Sequence, residues 1–255
     1  MLPVKIFIMD SNDNIIVVKD LVKKFGSFIA NDHLTFSVKK GEVFGFLGAN
    51  GAGKTTAIRV LCGLSYPTSG ELMVAGYDVY RERDLIKKNI GYMSQKFSLY
   101  EDMTVYENIR FYGGIYGLDI STIRSRAEDL IRQLELEDIK NKLIRELPLG
   151  WKQKLAFSIA IFHKPRIVFL DEPTSGVDPI IRRQFWNLIY KAANEGVTVF
   201  VTTHYMDEAE YCNRVSIMVE GRIVALDTPL QLMMTYQSQN MEDVFIRLAR
   251  KTNFN

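Results

Sequence analysis

Short hydrophobic runs rich in β-branched and aromatic residues alternate along the chain with longer stretches of mixed polarity. Residues 42–47, 166–172 and 197–204 are compact runs of this kind, typical of strands buried on both faces of a parallel sheet. Residues 214–227 hold two further strand-like runs that meet at Glu220-Gly221, a pair suited to a tight turn. This alternation predicts an α/β fold with a largely parallel sheet.

The spacing of apolar residues changes in the middle of the chain. Between about residues 85 and 164 they recur every three to four positions with charges between them, which predicts a helical insert. The insert separates two β-rich parts, about residues 15–84 and 165–235, and residues 236–255 predict a tail with a short amphipathic helix. We therefore expect residues 1–255 to form a single domain with these three parts.

Composition and charge are those of an ordinary globular protein, with 47% hydrophobic and 24% charged residues. The net charge of +2 has no long block of one sign, so we expect no nucleic acid as a partner. Cys62 and Cys212 lie far apart and lack metal-ligand spacing, which favours two reduced, buried thiols. No segment approaches the ~18 apolar residues of a membrane span, and the N-terminus does not fit a signal peptide. We expect a chain that by itself neither crosses a membrane nor is secreted.

One glycine-rich segment has the pattern of a phosphate-binding P-loop, Gly, four residues, Gly-Lys-Thr. It directly follows a predicted strand and opens a helical pattern, the context that the motif requires. Glycines let successive N–H groups approach phosphate oxygens, the helix start adds partial positive charge, the lysine can bridge the β- and γ-phosphates and the threonine can bind Mg²⁺. The residues concerned are Gly48, Ala49, Asn50, Gly51, Ala52, Gly53, Lys54, Thr55 and the following Thr56.

Two acids end a second hydrophobic strand. Asp171 can face a metal, and Glu172 would point to the other side of the strand end, where it can polarise an attacking water as a general base. Taken alone, the pair could simply end a strand before Pro173. His204 and Gln95 are weak candidates by themselves, because a histidine after a strand or a single glutamine is usually structural.

In their order along the chain, these segments resemble the nucleotide-binding domain of ABC transporters over roughly residues 15–235. The resemblance implies a P-loop NTPase fold of the ABC type, with a RecA-like core, an antiparallel β subdomain and a helical subdomain. It assigns Gln95 to the Gln loop, residues 175–178 to the D-loop and His204 to the switch histidine. It also places Phe25 where the family stacks an aromatic ring on adenine.

By the same resemblance, the chain binds ATP with Mg²⁺ and hydrolyses ATP. Lys54, Glu172, His204 and Gln95 would act in hydrolysis, and Thr55, Gln95 and Asp171 would hold the metal. Two such domains would close head to tail, with Asp178 linking their two sites. A membrane-spanning subunit or domain would dock in a groove lined by about residues 96–103, which places the chain at the cytoplasmic face of the cell membrane.

The branch that the resemblance favours is the ATPase subunit of ABC-2 type exporters, which move drugs, lipids or polymer-like substrates. Residues 44–56, 95–117 and 169–179 carry this likeness, together with the Glu-Asp-Val-Phe segment at 242–245.

Residues 147–151, Leu-Pro-Leu-Gly-Trp, stand where the family has the signature Leu-Ser-Gly-Gly-Gln. Proline suits a first helical turn, and the N–H groups of Leu149, Gly150 and Trp151 would still face phosphate with the helix dipole behind them. Losing one hydrogen bond to a charged group costs roughly 1.5–3 kcal/mol, whereas the Leu149 side chain would obstruct the close approach that glycine allows. Our hypothesis is a working variant signature.

Two alternatives compete with a transporter ATPase. A soluble ABC ATPase of translation or DNA repair usually carries paired domains, long arms or a basic surface, none of which the sequence indicates. A regulatory domain with weak hydrolysis is the second alternative, suggested by the altered signature. Such domains often lack the acid after the metal-binding aspartate, and here Glu172 and His204 are both present.

Overall fold

The computed structural model describes residues 13–95 and 99–252, which form two sheets and surrounding helices. The strands are β1 (Asn14–Phe25), β2 (Phe28–Lys39), β3 (Val43–Gly48), β4 (Ser69–Val74), β5 (Tyr77–Asp78), β6 (Ile90–Met93), β7 (Ile167–Asp171), β8 (Thr198–Thr203), β9 (Arg214–Val219) and β10 (Arg222–Asp227). The helices are α1 (Lys54–Leu61), α2 (Arg83–Asn89), α3 (Val105–Ile115), α4 (Ile120–Gln133), α5 (Leu149–Ala160), α6 (Pro179–Asn194), α7 (Pro229–Thr235) and α8 (Met241–Thr252), with 3₁₀ turns at Ile144–Glu146 and Met206–Tyr211.

The larger sheet is the predicted parallel sheet, in the order β10-β9-β3-β8-β7-β6. All neighbouring strands in it are parallel except β10, which forms a hairpin with β9 through Glu220-Gly221. Gly45 of β3 pairs with Val201 of β8, and Phe200 of β8 pairs with Phe169 of β7. The carboxyl ends of β3, β7 and β8 therefore meet at one edge of the sheet, the edge at which open α/β sheets bind ligands.

Five phenylalanine side chains pack between this sheet and the smaller antiparallel sheet, whose order is β2-β1-β4-β5. Phe36 of β2 stacks on Phe44 at 5.7 Å between ring centroids, and Phe200 lies 5.3 Å from Phe46 and 5.4 Å from Phe169. Such ring pairs contribute beyond the area that they bury. The strand that leads into the P-loop is thus fixed from both sheets.

The antiparallel sheet presents Phe25 at the tip of the β1–β2 hairpin. Phe25 pairs with Phe28 across the turn and is 55% exposed, with the Lys23 ammonium 4.7 Å from its ring centroid. A flat, exposed aromatic ring beside a cation is a suitable surface for a stacked base.

The predicted helical insert, residues 85–164, contains helices and also one strand of the core sheet. β6 pairs with β7, and Gly91 within it has no room for a side chain because a Cβ would collide with the carbonyl oxygen of Ala160. Sequence spacing did not separate this short strand from the neighbouring helices. α3 begins with a capping box in which Thr104 and Glu107 bond reciprocally.

The C-terminal part carries the predicted amphipathic helix, α8. Its apolar residues Met241, Val244 and Leu248 are buried in the core. Cys62 and Cys212 are free and buried, as expected. Among the residues that the structure describes, no helix combines the length and apolar character needed to cross a membrane.

Candidate active site

The glycine-rich loop wraps around the Lys54 side chain between β3 and α1. Lys54 Nζ donates to the carbonyl oxygens of Gly48 at 2.8 Å and Ala49 at 3.1 Å. Gly53 has a φ of 102°, and a Cβ on it would collide with the carbonyl oxygen of Ala30. Glycine is therefore required at this position, where the chain enters the helix.

Asn31 on β2 anchors the end of the loop and was not predicted from the sequence. It is fully buried, and its Nδ2 donates to the carbonyl oxygens of Gly53 at 3.1 Å and Ala30 at 3.0 Å. The sequence signal for this role was a polar amide in a strand of alternating polarity. Its partner Gly53 lies 22 residues further along the chain.

Asp171, at the end of β7, faces the first turn of α1. Thr55 Oγ1 donates to Asp171 Oδ1 at 3.1 Å, and Thr202 Oγ1 donates to the same oxygen at 2.8 Å. Burial raises the pKa of Asp171, although these two hydrogen bonds act in the opposite direction. A hydroxyl and a carboxylate side by side supply the oxygen ligands that Mg²⁺ prefers.

The Glu172 carboxylate lies at the centre of the site and has other partners than the carboxylate of Asp171. Its Oε1 lies 3.1 Å from Lys54 Nζ, while its Oε2 accepts Gln95 Nε2 at 3.1 Å and lies 3.0 Å from His204 Nδ1. The Lys54 and Glu172 side chains are 3% and 7% exposed, so this ion pair is screened little by water. One carboxylate thus joins Lys54 of the glycine-rich loop to Gln95 and His204.

Thr202 on β8 holds both acids in place and was also missed in the sequence. Besides its bond to Asp171, its Oγ1 accepts the N–H of Glu172 at 3.0 Å. Glu172 adopts a φ of 50°, a left-handed conformation that is uncommon for residues other than glycine. This turn of the chain directs the two carboxylates to different partners.

The predicted signature residues form a second group at the start of α5. Pro148 is the N-cap, one position before the helix, and its carbonyl oxygen accepts the N–H of Trp151 at 3.0 Å. Only Leu149 and Gly150 therefore keep the predicted free donors of a first helical turn, and the expectation for Trp151 is corrected. A Cβ on Gly150 would lie 2.7 Å from Ile181 Cγ2, so α5 packs closely on α6.

Asp178 caps α6 and shares a cavity with the signature residues. Its Oδ1 accepts the N–H groups of Ile180 and Ile181, both at 3.0 Å. Leu149, Gly150 and Asp178 line a cavity of about 330 Å³. Within the described residues, no hydrogen bond or ion pair joins these three to the P-loop, Asp171 or Glu172.

The predicted docking groove, residues 96–103, is described only in part, because residues 96–98 lie outside the described residues. Next to them, Tyr100 is 48% exposed and packs edge-on against Phe111 at 4.8 Å. Within residues 99–103, Tyr100, Glu101 and Asp102 are exposed, whereas Leu99 is buried.

A phosphate-binding loop after one parallel strand, with an acid pair after another strand of the same sheet, defines a P-loop nucleoside triphosphatase. Residues 31–175, more than half of the chain, match the ABC transporter family. The chain belongs to this family and is an ABC ATPase domain.

Known proteins resemble the chain over most of its length. "Probable multidrug ABC transporter ATP-binding protein YbhF" of Escherichia coli is 46% identical over 92% of this chain, which spans only 42% of that protein. "Linearmycin resistance ATP-binding protein LnrL" of Bacillus subtilis is 35% identical over 84% of this chain and 69% of its own length. A solved ATP-binding subunit of an ABC transporter is 26% identical with a TM-score of 0.82, covering 92% of this chain and 99% of that one.

Proposed function

We propose that this domain hydrolyses ATP with Glu172 as the general base and thereby powers an ABC-2 type exporter. The observation that carries the proposal is the single cluster in which the buried Glu172 carboxylate contacts Lys54, Gln95 and His204. Regulatory domains that do not hydrolyse ATP often lack an acid in this position. The names of the relatives, which refer to multidrug transport and linearmycin resistance, support a drug-like substrate.

Each residue has one task in the proposed hydrolysis. Bound ATP would draw the Lys54 ammonium from the Gly48 and Ala49 carbonyls toward its β- and γ-phosphates. Glu172 then accepts the proton of the attacking water, and His204 donates a hydrogen bond to the γ-phosphate. General-base catalysis of this kind typically contributes 10²–10⁴-fold in rate.

The residues around Asp171 fit a magnesium ion. Thr55 and Asp171 offer two oxygens in contact, and Gln95 adds an amide next to Glu172. When bound, the metal would neutralise charge on the phosphates. Mg²⁺ usually takes one or two carboxylates plus phosphate oxygens, and Asp171 supplies one carboxylate next to the Thr55 hydroxyl.

Hydrolysis is expected to require Mg²⁺, and Thr55→Val should raise the Mg²⁺ concentration that gives half-maximal turnover by about tenfold. The change removes one hydroxyl ligand, worth on the order of 1.5 kcal/mol, and keeps the side-chain shape. Thr235→Val, at the exposed end of α7, is the matched control. Phosphate release measured across a magnesium titration checks this, and an unchanged half-maximal concentration would remove Thr55 as a ligand.

For coupling, we propose that two such domains close over ATP and that membrane-spanning helices dock beside the Gln loop. The exposed aromatic residue Tyr100 supports a docking face there. The Leu149–Gly150 helix start and Asp178 face a common cavity, which supports contact with the ATP of a second domain. In the proposed arrangement, the domain would lie at the cytoplasmic face of a membrane.

Affinity purification from detergent-solubilised native membranes tests this coupling. We expect an integral membrane subunit or segment to copurify at a fixed ratio and to raise ATP turnover. Recovery without any membrane component, or with ribosomes or nucleic acid, would contradict the exporter assignment. A membrane component of the ABC-2 type would support the assignment to that branch, and one of another type would contradict it.

A further inference from the structure

The segments that follow β7 and β8 carry Glu172 and His204, and a second, buried hydrogen bond joins them. Thr174 Oγ1 donates to Glu208 Oε1 at 2.6 Å, with the two residues only 1% and 0% exposed. Thr174 lies two residues after Glu172, and Glu208 lies four residues after His204. Because Glu172 and His204 also contact each other at 3.0 Å, the two bonds and the two chain segments form a closed ring.

Arg182, in the first turn of α6, is the counter-charge in this ring. Its Nε lies 3.6 Å from Glu208 Oε1, and its Nη1 lies 3.3 Å from Asp207 Oδ2. Its guanidinium also stacks on Tyr205, 4.0 Å from the ring centroid, and the Tyr205 ring lies 4.2 Å from that of His204. Arg182 therefore contacts three residues of the segment that immediately follows the switch histidine.

An acid at position 208 is not explained by packing alone. Glu208 Oε2 is buried without a hydrogen-bond partner among the described residues. Taking a carboxylate out of water has a free-energy cost that an apolar side chain of similar size would avoid. What the acid adds is a short, directional bond to a hydroxyl, and such a bond fixes geometry.

We propose that Thr174 and Glu208 are positioning residues that hold His204 against Glu172. The inference rests on the proposed hydrolytic function of Glu172. Neither residue needs to touch ATP, because each acts through the segment that it anchors. Without their bond, the side-chain hydrogen bond that the described residues still show between these two segments is the one from His204 to Glu172, at the reacting end. Misplacement of a catalytic group by about 1 Å can reduce turnover by up to about 100-fold.

The test compares two substitutions of Thr174 in the membrane complex. Thr174→Val keeps the shape and removes the donor, and we expect kcat to fall about tenfold with KM for ATP unchanged. Thr174→Ser keeps the donor and should retain kcat. Glu208→Met, which removes the acceptor, should lower kcat as well, whereas Glu210→Met, an exposed change on the same 3₁₀ turn, should not.

Two measurements separate positioning from a structural role. In a His204→Ala background, Thr174→Val should cause no further loss, because the residue through which it acts is gone. The chain has three histidines, so side-chain ¹⁵N resonances can be assigned by single substitutions. The His204 resonance should move in Thr174→Val and not in Thr174→Ser, while those of His33 and His163 stay in place.

Each outcome is decisive. Full kcat in Thr174→Val, or an equal further loss in the His204→Ala background, would overturn the positioning role. If the wild type does not hydrolyse ATP at all, the proposed function fails. The His204 resonance still tests whether the Thr174–Glu208 bond positions His204. A His204 resonance that does not respond to Thr174→Val overturns the link, and one that moves supports it.

Discussion

Glu172→Gln is expected to reduce ATP turnover by about 10²–10⁴-fold while ATP binding is retained or tightened. The amide has the shape of the carboxylate and cannot accept a proton from water. It also removes the negative charge 3.1 Å from Lys54 Nζ, which frees the ammonium for the phosphates. Single-turnover hydrolysis and equilibrium binding of a fluorescent ATP analogue measure the two effects separately.

Glu137→Gln, an exposed change in the turn after α4, is the control for this substitution and should leave both quantities unchanged. Unchanged turnover in Glu172→Gln would exclude Glu172 as the base. A parallel loss of ATP binding would instead indicate that Glu172 mainly holds Lys54 in place.

The parts of the site that local sequence specifies were predicted. The P-loop needs glycines at fixed spacing, and a strand rich in β-branched residues that ends in two acids can be recognised in isolation. In a parallel sheet, loops after neighbouring strands share one edge, so the meeting of residues 48–55 with Asp171, Glu172 and His204 followed from the fold class. The ABC family assignment confirms that fold class.

What sequence could not provide are contacts between distant, ordinary-looking residues. Asn31 bonds Gly53 across 22 residues, and Thr202 bonds Glu172 across 30. A buried asparagine or a strand threonine carries no local pattern that names its partner. β6 was hidden for a related reason, since four residues are too few for a period to distinguish a strand from a helix.

At residues 147–151, the expectation from helix-start preferences differs from the observed backbone. Proline was expected within the first turn of the helix, and it lies at the N-cap, where its carbonyl oxygen takes the N–H of Trp151. The site therefore has two first-turn donors, on Leu149 and Gly150, instead of three.

Pro148→Ser introduces a capping hydroxyl, which typically stabilises a helix by about 1 kcal/mol. We expect this variant to keep or raise ATP turnover.

Gly150→Asp is expected to abolish turnover, with a loss of at least about 100-fold. The reason is that the substitution places a negative charge where phosphate would bind at the start of α5. The added Cβ also approaches Ile181 Cγ2 to 2.7 Å, so crowding must be separated from charge. Gly150→Asn crowds Ile181 equally and carries no charge. An acid in the first turn favours a helix, so Gly150→Asp should melt no lower than Gly150→Asn while hydrolysing far less ATP.

The paired comparison decides how this signature works. If charge at position 150 matters, Gly150→Asp hydrolyses less ATP than Gly150→Asn although it is at least as stable to heat. Unfolding cannot produce this combination, because an unfolded variant would be both less active and less stable. Retained activity in Gly150→Asp would overturn the hypothesis that the start of α5 faces phosphate. The alternative is a site that hydrolyses ATP only beside a second domain with a regular signature. In that case homodimers of the unaltered chain should be nearly inactive, while mixed dimers with such a domain turn over ATP.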